Sequence, residues 1–235
     1  MDDRMPNRLD PGTHPLVRGD LLSPVVRRDI TDLNRLYLDL SLEPSLDEDP
    51  RFALADAVRT ALRGCPDEVR GRLAECPFCL FQVRLPTSGS NALDRVSDAH
   101  QPLTLEPMIA ARCHSFVLLA LSVARQLAGG TPLSPRIALG VSADAESRLA
   151  VMCPSDLARL AVWPALVRPR WPRHLRFWGM LIAAARTSDA VLARWAHCAG
   201  LCLLTTVQDD ADPPDEPVRR RARNARGWPG PGVSC

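Results

Sequence analysis

The sequence predicts an all-α protein: two tandem helical modules related by an internal duplication, then a helical hairpin, with disordered segments at both ends. Three observations lead there. A sixteen-residue pattern occurs twice in the 235 residues, as Leu62, Cys65-Pro66, Asp67, Val69, Arg72-Leu73-Ala74, Cys76-Pro77 and again as Leu149, Cys153-Pro154, Asp156, Leu157, Arg159-Leu160-Ala161, Trp163-Pro164, with two one-residue gaps. Proline fits the first turn of a helix, where its missing amide has no partner, and cannot continue the preceding helix, so each copy reads as a helix-stop-helix corner. Apolar residues elsewhere recur at helical spacing. A stretch from Pro86 to Pro107, rich in Ser, Gly, Asn and Pro, separates the two copies.

Taken in order, residues 1–24 are polar and proline-bearing and are expected to be disordered. The first module, 25–86, opens with a helix from about Arg28 to Glu43, apolar nearly all round through Ile30, Leu33, Tyr37 and Leu40 on one side and Leu36, Leu38 and Leu42 on the other. A helix of that kind has to be covered on two sides. Asp47-Glu-Asp-Pro50 makes an acidic turn before a second helix, Phe52 to Leu62, and the first corner. Leu80 to Leu85 reads as a short strand or one more helical turn. After the linker, 87–106, the second module, 107–170, begins with the longest helix, Glu106 to Ala128, where Gly129-Gly130 would tolerate a left-handed cap. A helix from Ser142 to Met152 and the second corner follow. The C-terminal pair, 171–208, holds helices at Arg173 to Arg186 and Asp189 to Thr206, and 209–235 is expected to be a disordered tail.

Composition narrows the function. With 46% apolar and 24% charged residues the chain is of a folded, globular type. All 29 basic residues are Arg, a bias of composition that by itself says nothing of nucleic acid, and the net charge is only +2. The distribution is uneven, since no carboxylate lies between Asp156 and Asp189. No export signal is visible, and the longest uncharged apolar runs, 115–124 and 177–185, are about half the roughly 20 residues a membrane span needs. A cytoplasmic protein with no membrane role is expected, its eight cysteines remaining thiols.

Cys76-Pro-Phe-Cys79 has zinc-ligand spacing but no second close pair beside it; Cys113-His114 and His197-Cys198 with Cys202 would have to fold onto it. Buried thiols acting as small apolar residues are the favoured reading, with zinc and a redox pair as alternatives. There is no phosphate-binding glycine loop, nucleophile elbow or His-Glu-x-x-His, so no enzyme, cofactor or small-molecule substrate is expected. The segment from Arg168 to Trp178 does carry a nucleic-acid character. Arg168, Arg170, Arg173 and Arg176, with Trp171 and His174, combine phosphate contacts with stacking surfaces and lack any neighbouring acid. Prolines 169 and 172 are expected to keep the backbone extended and splay the arginines. The bland alternative is a solvated proline-rich turn anchored by its aromatics. In the tail, five arginines between 219 and 226 face five carboxylates between Asp209 and Glu216, which makes that segment self-neutralising.

Two runs resemble a known family. Ile30-Thr-Asp-Leu-Asn34-Arg-Leu-Tyr37-Leu-Asp-Leu40, with Arg72 to Arg84 downstream, and Leu118 to Leu127, with Leu139-Gly140-Val-Ser and Cys153 to Ala161 downstream, resemble the flagellar master-regulator D-subunit family. The resemblance implies a bacterial, all-helical transcription activator that dimerises through long helices and acts with a second subunit making much of the DNA contact. This chain departs in carrying the pattern twice, in the helix pair after Arg173, and in lacking a four-cysteine zinc site of the partner-subunit kind. The expectation is a transcription-regulator-like protein acting as a homo-oligomer or with a regulatory partner, through Leu33, Tyr37, Leu40, Phe116, Leu119 and Val123 on the two long helices. The other class is a helical adaptor, scaffold or secretion-associated chaperone that does not touch DNA.

Overall fold

A computed structural model describes residues 23–49, 51–85, 105–130, 134–163 and 166–206. The expected disordered ends and most of the expected linker lie outside these residues. The described part is mostly helical, with nine α-helices and one two-stranded sheet.

Ser23 starts α1, Pro24–Ser41, by accepting a hydrogen bond from the Val26 amide at 3.3 Å, with Pro24 in the first turn. This helix begins four residues before the expected Arg28. Its inner side buries Ile30, Leu33, Tyr37, Leu38 and Leu40, and its outer side carries Arg28, Asp32, Arg35, Asp39 and a partly exposed Leu36. A 3-10 turn, Pro44–Leu46, follows, and Asp49 then accepts from the Arg51 amide at 2.9 Å and from its guanidinium at 2.6 Å. That local pairing delays the next helix, so Phe52 enters the core from a turn and Leu54 from non-helical backbone, and α2 is only Asp56–Arg63, not Phe52 to Leu62. The corner Cys65-Pro66 leads into α3, Asp67–Ala74, and the ambiguous stretch after it is a strand, β1, Phe81–Val83.

The second module repeats the order. Its long helix is α4, Pro107–Ala128; Gly129 after it has an ordinary right-handed φ of −80°, so no left-handed cap forms. A short helix absent from the sequence reading, α5, Ser134–Leu139, ends at Gly140, where φ is +66°. Ser142 caps α6, Ala143–Val151, and the Cys153-Pro154 corner leads to α7, Pro154–Leu160, and β2, Val167–Pro169. The hairpin is α8, Leu175–Thr187, packed on α9, Ala190–Thr206, whose first turn is capped by Asp189 accepting from Val191 N at 2.8 Å. By length and composition α4 is apolar enough to cross a membrane, at mean hydropathy 1.5, although it packs here against α1, α5, α6 and α7.

Like pairs with like across the two modules. β1 and β2 are antiparallel with Gln82 opposite Arg168 at the centre, α1 lies against α4, and α3 packs on α1 as α7 packs on α4. An antiparallel pair of corresponding strands is locally two-fold by construction. The corners match in burial as well: Val58 and Leu62 correspond to Ala145 and Leu149, and Val69 and Leu73 to Leu157 and Ala161, all buried. Leu160, expected in the core, is only half-buried. Counted from the proline, the inward positions are +3 and +7, and the second copy, one residue shorter between its proline and Arg-Leu-Ala, puts Ala161, not Leu160, at the second of these.

One core serves both modules. Tyr37, Phe52 and Phe81 from the first meet Phe116 from the second with ring centroids 5.0 to 6.1 Å apart. Asn34, fully buried, donates from Nδ2 to Ala74 O at 3.1 Å and Phe78 O at 3.0 Å, and its Oδ1 accepts from Leu80 N at 2.8 Å, tying α1 to the chain that enters β1.

Candidate functional site

The basic-aromatic segment folds as strand, turn and helix start, not as an extended run. Arg168 sits half-buried in β2 opposite Gln82. Pro169 ends the strand, and Arg170 turns inward to 4% exposure. Its guanidinium donates to Ile137 O at 3.1 Å and to Arg136 O and Cys79 O at 3.4 Å, and lies 5.7 Å from the Trp171 ring centre. Two of those carbonyls belong to α5, whose C-terminal dipole favours a cation. Burial pulls the Arg170 pKa down to about 10, so it remains a cation at neutral pH, neutralised by carbonyl dipoles.

Arg170 is therefore removed from the nucleic-acid candidates, because its donors are spent on backbone carbonyls inside the fold. Trp171 is removed as a stacking platform on similar grounds. Its backbone is left-handed at φ 51°, its ring packs edge-on against Phe177 at 4.7 Å and Phe78 at 5.6 Å, and its carbonyl accepts from the Trp178 indole at 3.1 Å. His174 is exposed but employed as the N-cap of α8, its Nδ1 accepting from the Phe177 amide at 3.2 Å. Arg173 and Arg176 are exposed, and neither they nor Arg168 form an ion pair among the described residues. The turn is not clear of acid, however: Ala55 N donates to Pro172 O at 3.1 Å, which sets the N-terminus of α2, with its fully solvated Asp56, beside it.

The expected interface residues divide in the same way. Leu33, Tyr37, Leu40 and Phe116 are buried inside the single chain and cannot form an intermolecular surface; α1 and α4 satisfy each other. Leu119, at 49% exposure, and the half-buried Val123 remain on the outside of α4. That outer face bears no charge between Arg112 and Arg125, whereas the outer face of α1 alternates Arg28, Asp32, Arg35 and Asp39. The tryptophan at 195 and Val191, 69% and 64% exposed on α9, were missed as surface candidates, since their helical spacing reads equally well as core.

The thiols fall into two sets. Cys65, Cys76, Cys79 and Cys113 are buried, and burial pushes Cys76 and Cys79 up to about 12, which keeps them protonated. Cys153, Cys198 and Cys202 are exposed, which for Cys198 and Cys202 runs against the favoured reading of buried thiols, and Cys235 lies outside the described residues. Among the described residues no three His, Cys, Asp or Glu side chains are placed to hold a metal ion. A groove between α1 and α3 is lined by Arg35, Asp39, Asp67, Glu68, Arg72 and Glu75, a mixture of signs with pairs such as Arg72 with Glu68 at 2.6 Å. Comparison with protein-family models, curated proteins and solved structures finds no match for this chain.

Proposed function

We propose that the protein is a transcription-regulator-like helical protein that works by docking to other polypeptides, with nucleic-acid contact confined to Arg168, Arg173 and Arg176. The observation that supports the reading is the pairing of like elements, α1 with α4 and β1 with β2, within one chain. Such a chain carries internally what the family it resembles makes by dimerisation through long helices. The faces left over are then available for a further subunit. Three arginines neutralising phosphates give a log-log salt slope of roughly −3, and replacing one flattens it by about one unit at every sequence alike. Binding of duplex DNA by the protein, with any partner that copurifies, measured across a salt series for wild type and the Arg168→Ala, Arg173→Ala, Arg176→Ala variant, tests this. Equal slopes, or no binding by wild type, move the protein to the second reading.

That second reading is a non-DNA-binding adaptor or scaffold, and the burial of Arg170 with the nearby Asp56 is what favours it. It shares the docking surfaces and differs only in what the arginines do.

A further inference from the structure

The two corners match in sequence and in their buried positions, yet they are not equally covered. In the first module α8 lies across α2 and α3: Arg72 Nε donates to Ala185 O at 2.6 Å, the Arg186 guanidinium reaches the Cys65 sulfur at 3.6 Å, and Cys65 is buried to 4%. In the second module the same places stand open. Cys153, the counterpart of Cys65, is exposed, Val151 and Val162 at the rim are 84% and 68% exposed, and Arg159, one residue nearer its proline than Arg72 is to its own, has a side chain 82% exposed. Counted from the proline, Val151 stands where the first copy has Arg63 and Val162 where it has the buried Ala74, so the open corner also exposes the more apolar side chains. A surface whose counterpart holds an apolar helix, and which has itself exchanged charge for valine, is built to hold one too.

The chain's own segments outside the described residues are poor occupants. Residues 86–104 follow β1 as α8 follows β2, but their only large apolar residues are Leu93, Val96 and Leu103, against Phe177, Trp178, Leu181 and Ile182 on α8. The final 29 residues, 207–235, offer Trp228 and scattered valines among charges. One described helix has the right face unused. Along α9 the exposed positions Val191, Trp195 and Cys198 lie at helical spacing, and no carboxylate occurs from Ala190 to Thr206, as none occurs in α8. We propose that the α6–α7 corner of one copy receives α9 of a second copy, reciprocally, closing a two-fold dimer with two equivalent corner-helix contacts. Deepening the docking reading above, this names one occupant of one face.

The exposed thiols make the contact directly testable. Copies labelled with light and heavy isotopes are mixed, treated with a short bismaleimide, and analysed by peptide mass spectrometry, while sedimentation gives the mass against the 25.8 kDa chain. The expected result is a dimer in the micromolar range, with light-heavy hybrids joining Cys153 to Cys198 or Cys202. Trp195→Glu or Val151→Glu, both at exposed positions, should leave the melting temperature of the monomer unchanged and raise the dissociation constant at least about tenfold. A wild-type monomer at tens of micromolar, a dimer without that hybrid cross-link, or variants that dimerise like wild type would each overturn the proposal. A monomer that still binds DNA or a regulatory subunit would leave the proposed function standing, and a dimer that binds neither would do the opposite.

Discussion

At the scale of single residues, one buried polar side chain ties a junction of the fold. Asn34 satisfies two carbonyls and one amide from Ala74 to Leu80, the stretch that must leave α3 and enter β1 without helical hydrogen bonds of its own. Asn34→Ala leaves those groups buried without partners and should cost roughly 2 to 3 kcal/mol, read as a lowered denaturant midpoint; Asn34→Asp should also destabilise, since a carboxylate cannot donate to Ala74 O and Phe78 O. A second residue gives a pH dependence. His197 packs edge-on to Phe78 with centroids 6.4 Å apart, and burial first, with the charge of Arg27 second, holds its imidazole below its ordinary pKa. The unfolded chain therefore takes up this proton before the folded one. The contribution is complete above the unfolded value of about 6.5 and is lost as pH falls through the folded value. Between pH 7 and pH 5 the wild type should lose stability more steeply than His197→Gln; parallel pH profiles would show that His197 stays solvated.

At the scale of elements, the corners show how helical phase decides burial. Leu157 is 3% exposed and Leu160 half-buried, so Leu157→Ala should cost about 2 to 5 kcal/mol and Leu160→Ala clearly less, measured side by side in urea. The hairpin has a comparable control point in Gly200, where a methyl group would lie 2.3 Å from Phe78 Cζ and 3.0 Å from Phe177 Cζ. Gly200→Ala should cost about 1 to 3 kcal/mol by pushing α9 away from α8, seen as lost helicity at a lowered melting temperature. The same elements mark what was legible beforehand. The two corners, the long helices and the hairpin were readable because proline, cap and period agree there. The 80–85 stretch was not, because three residues of strand exist only by pairing with residues more than 80 positions away. The start of α2 was hidden by a side-chain clamp, Asp49 with Arg51, that competes with helix over four residues. Of the candidate site, charge and aromaticity could be read, but the inward turn of Arg170 could not, because its partners are carbonyls at the end of α5, a helix of six residues with no sequence period of its own.

At the scale of the whole molecule, the duplication raises the question of whether the two modules are two folding units or one. Each taken alone would end on an unpaired strand edge and an apolar helix face, and strands of three residues do not hold together without a partner sheet or helix behind them. The aromatic cluster answers in favour of one unit. Phe116 of α4 contacts Tyr37, Phe52 and Phe81, so the largest side chains of the first module are completed by a residue of the second. Phe116→Ala removes a ring that is 2% exposed and should cost about 3 to 5 kcal/mol. If the modules are one unit, that loss is shared: Trp178, buried in α8 on the first module's corner, and Trp163, just beyond α7 in the second, report the same transition. Variants retaining only one of these tryptophans should unfold in denaturant at the same midpoint by fluorescence as by far-ultraviolet dichroism, in the wild-type background and with Phe116→Ala alike. Separate midpoints, with Trp163 moved by Phe116→Ala and Trp178 left in place, would mean that the modules are stable alone and merely associated.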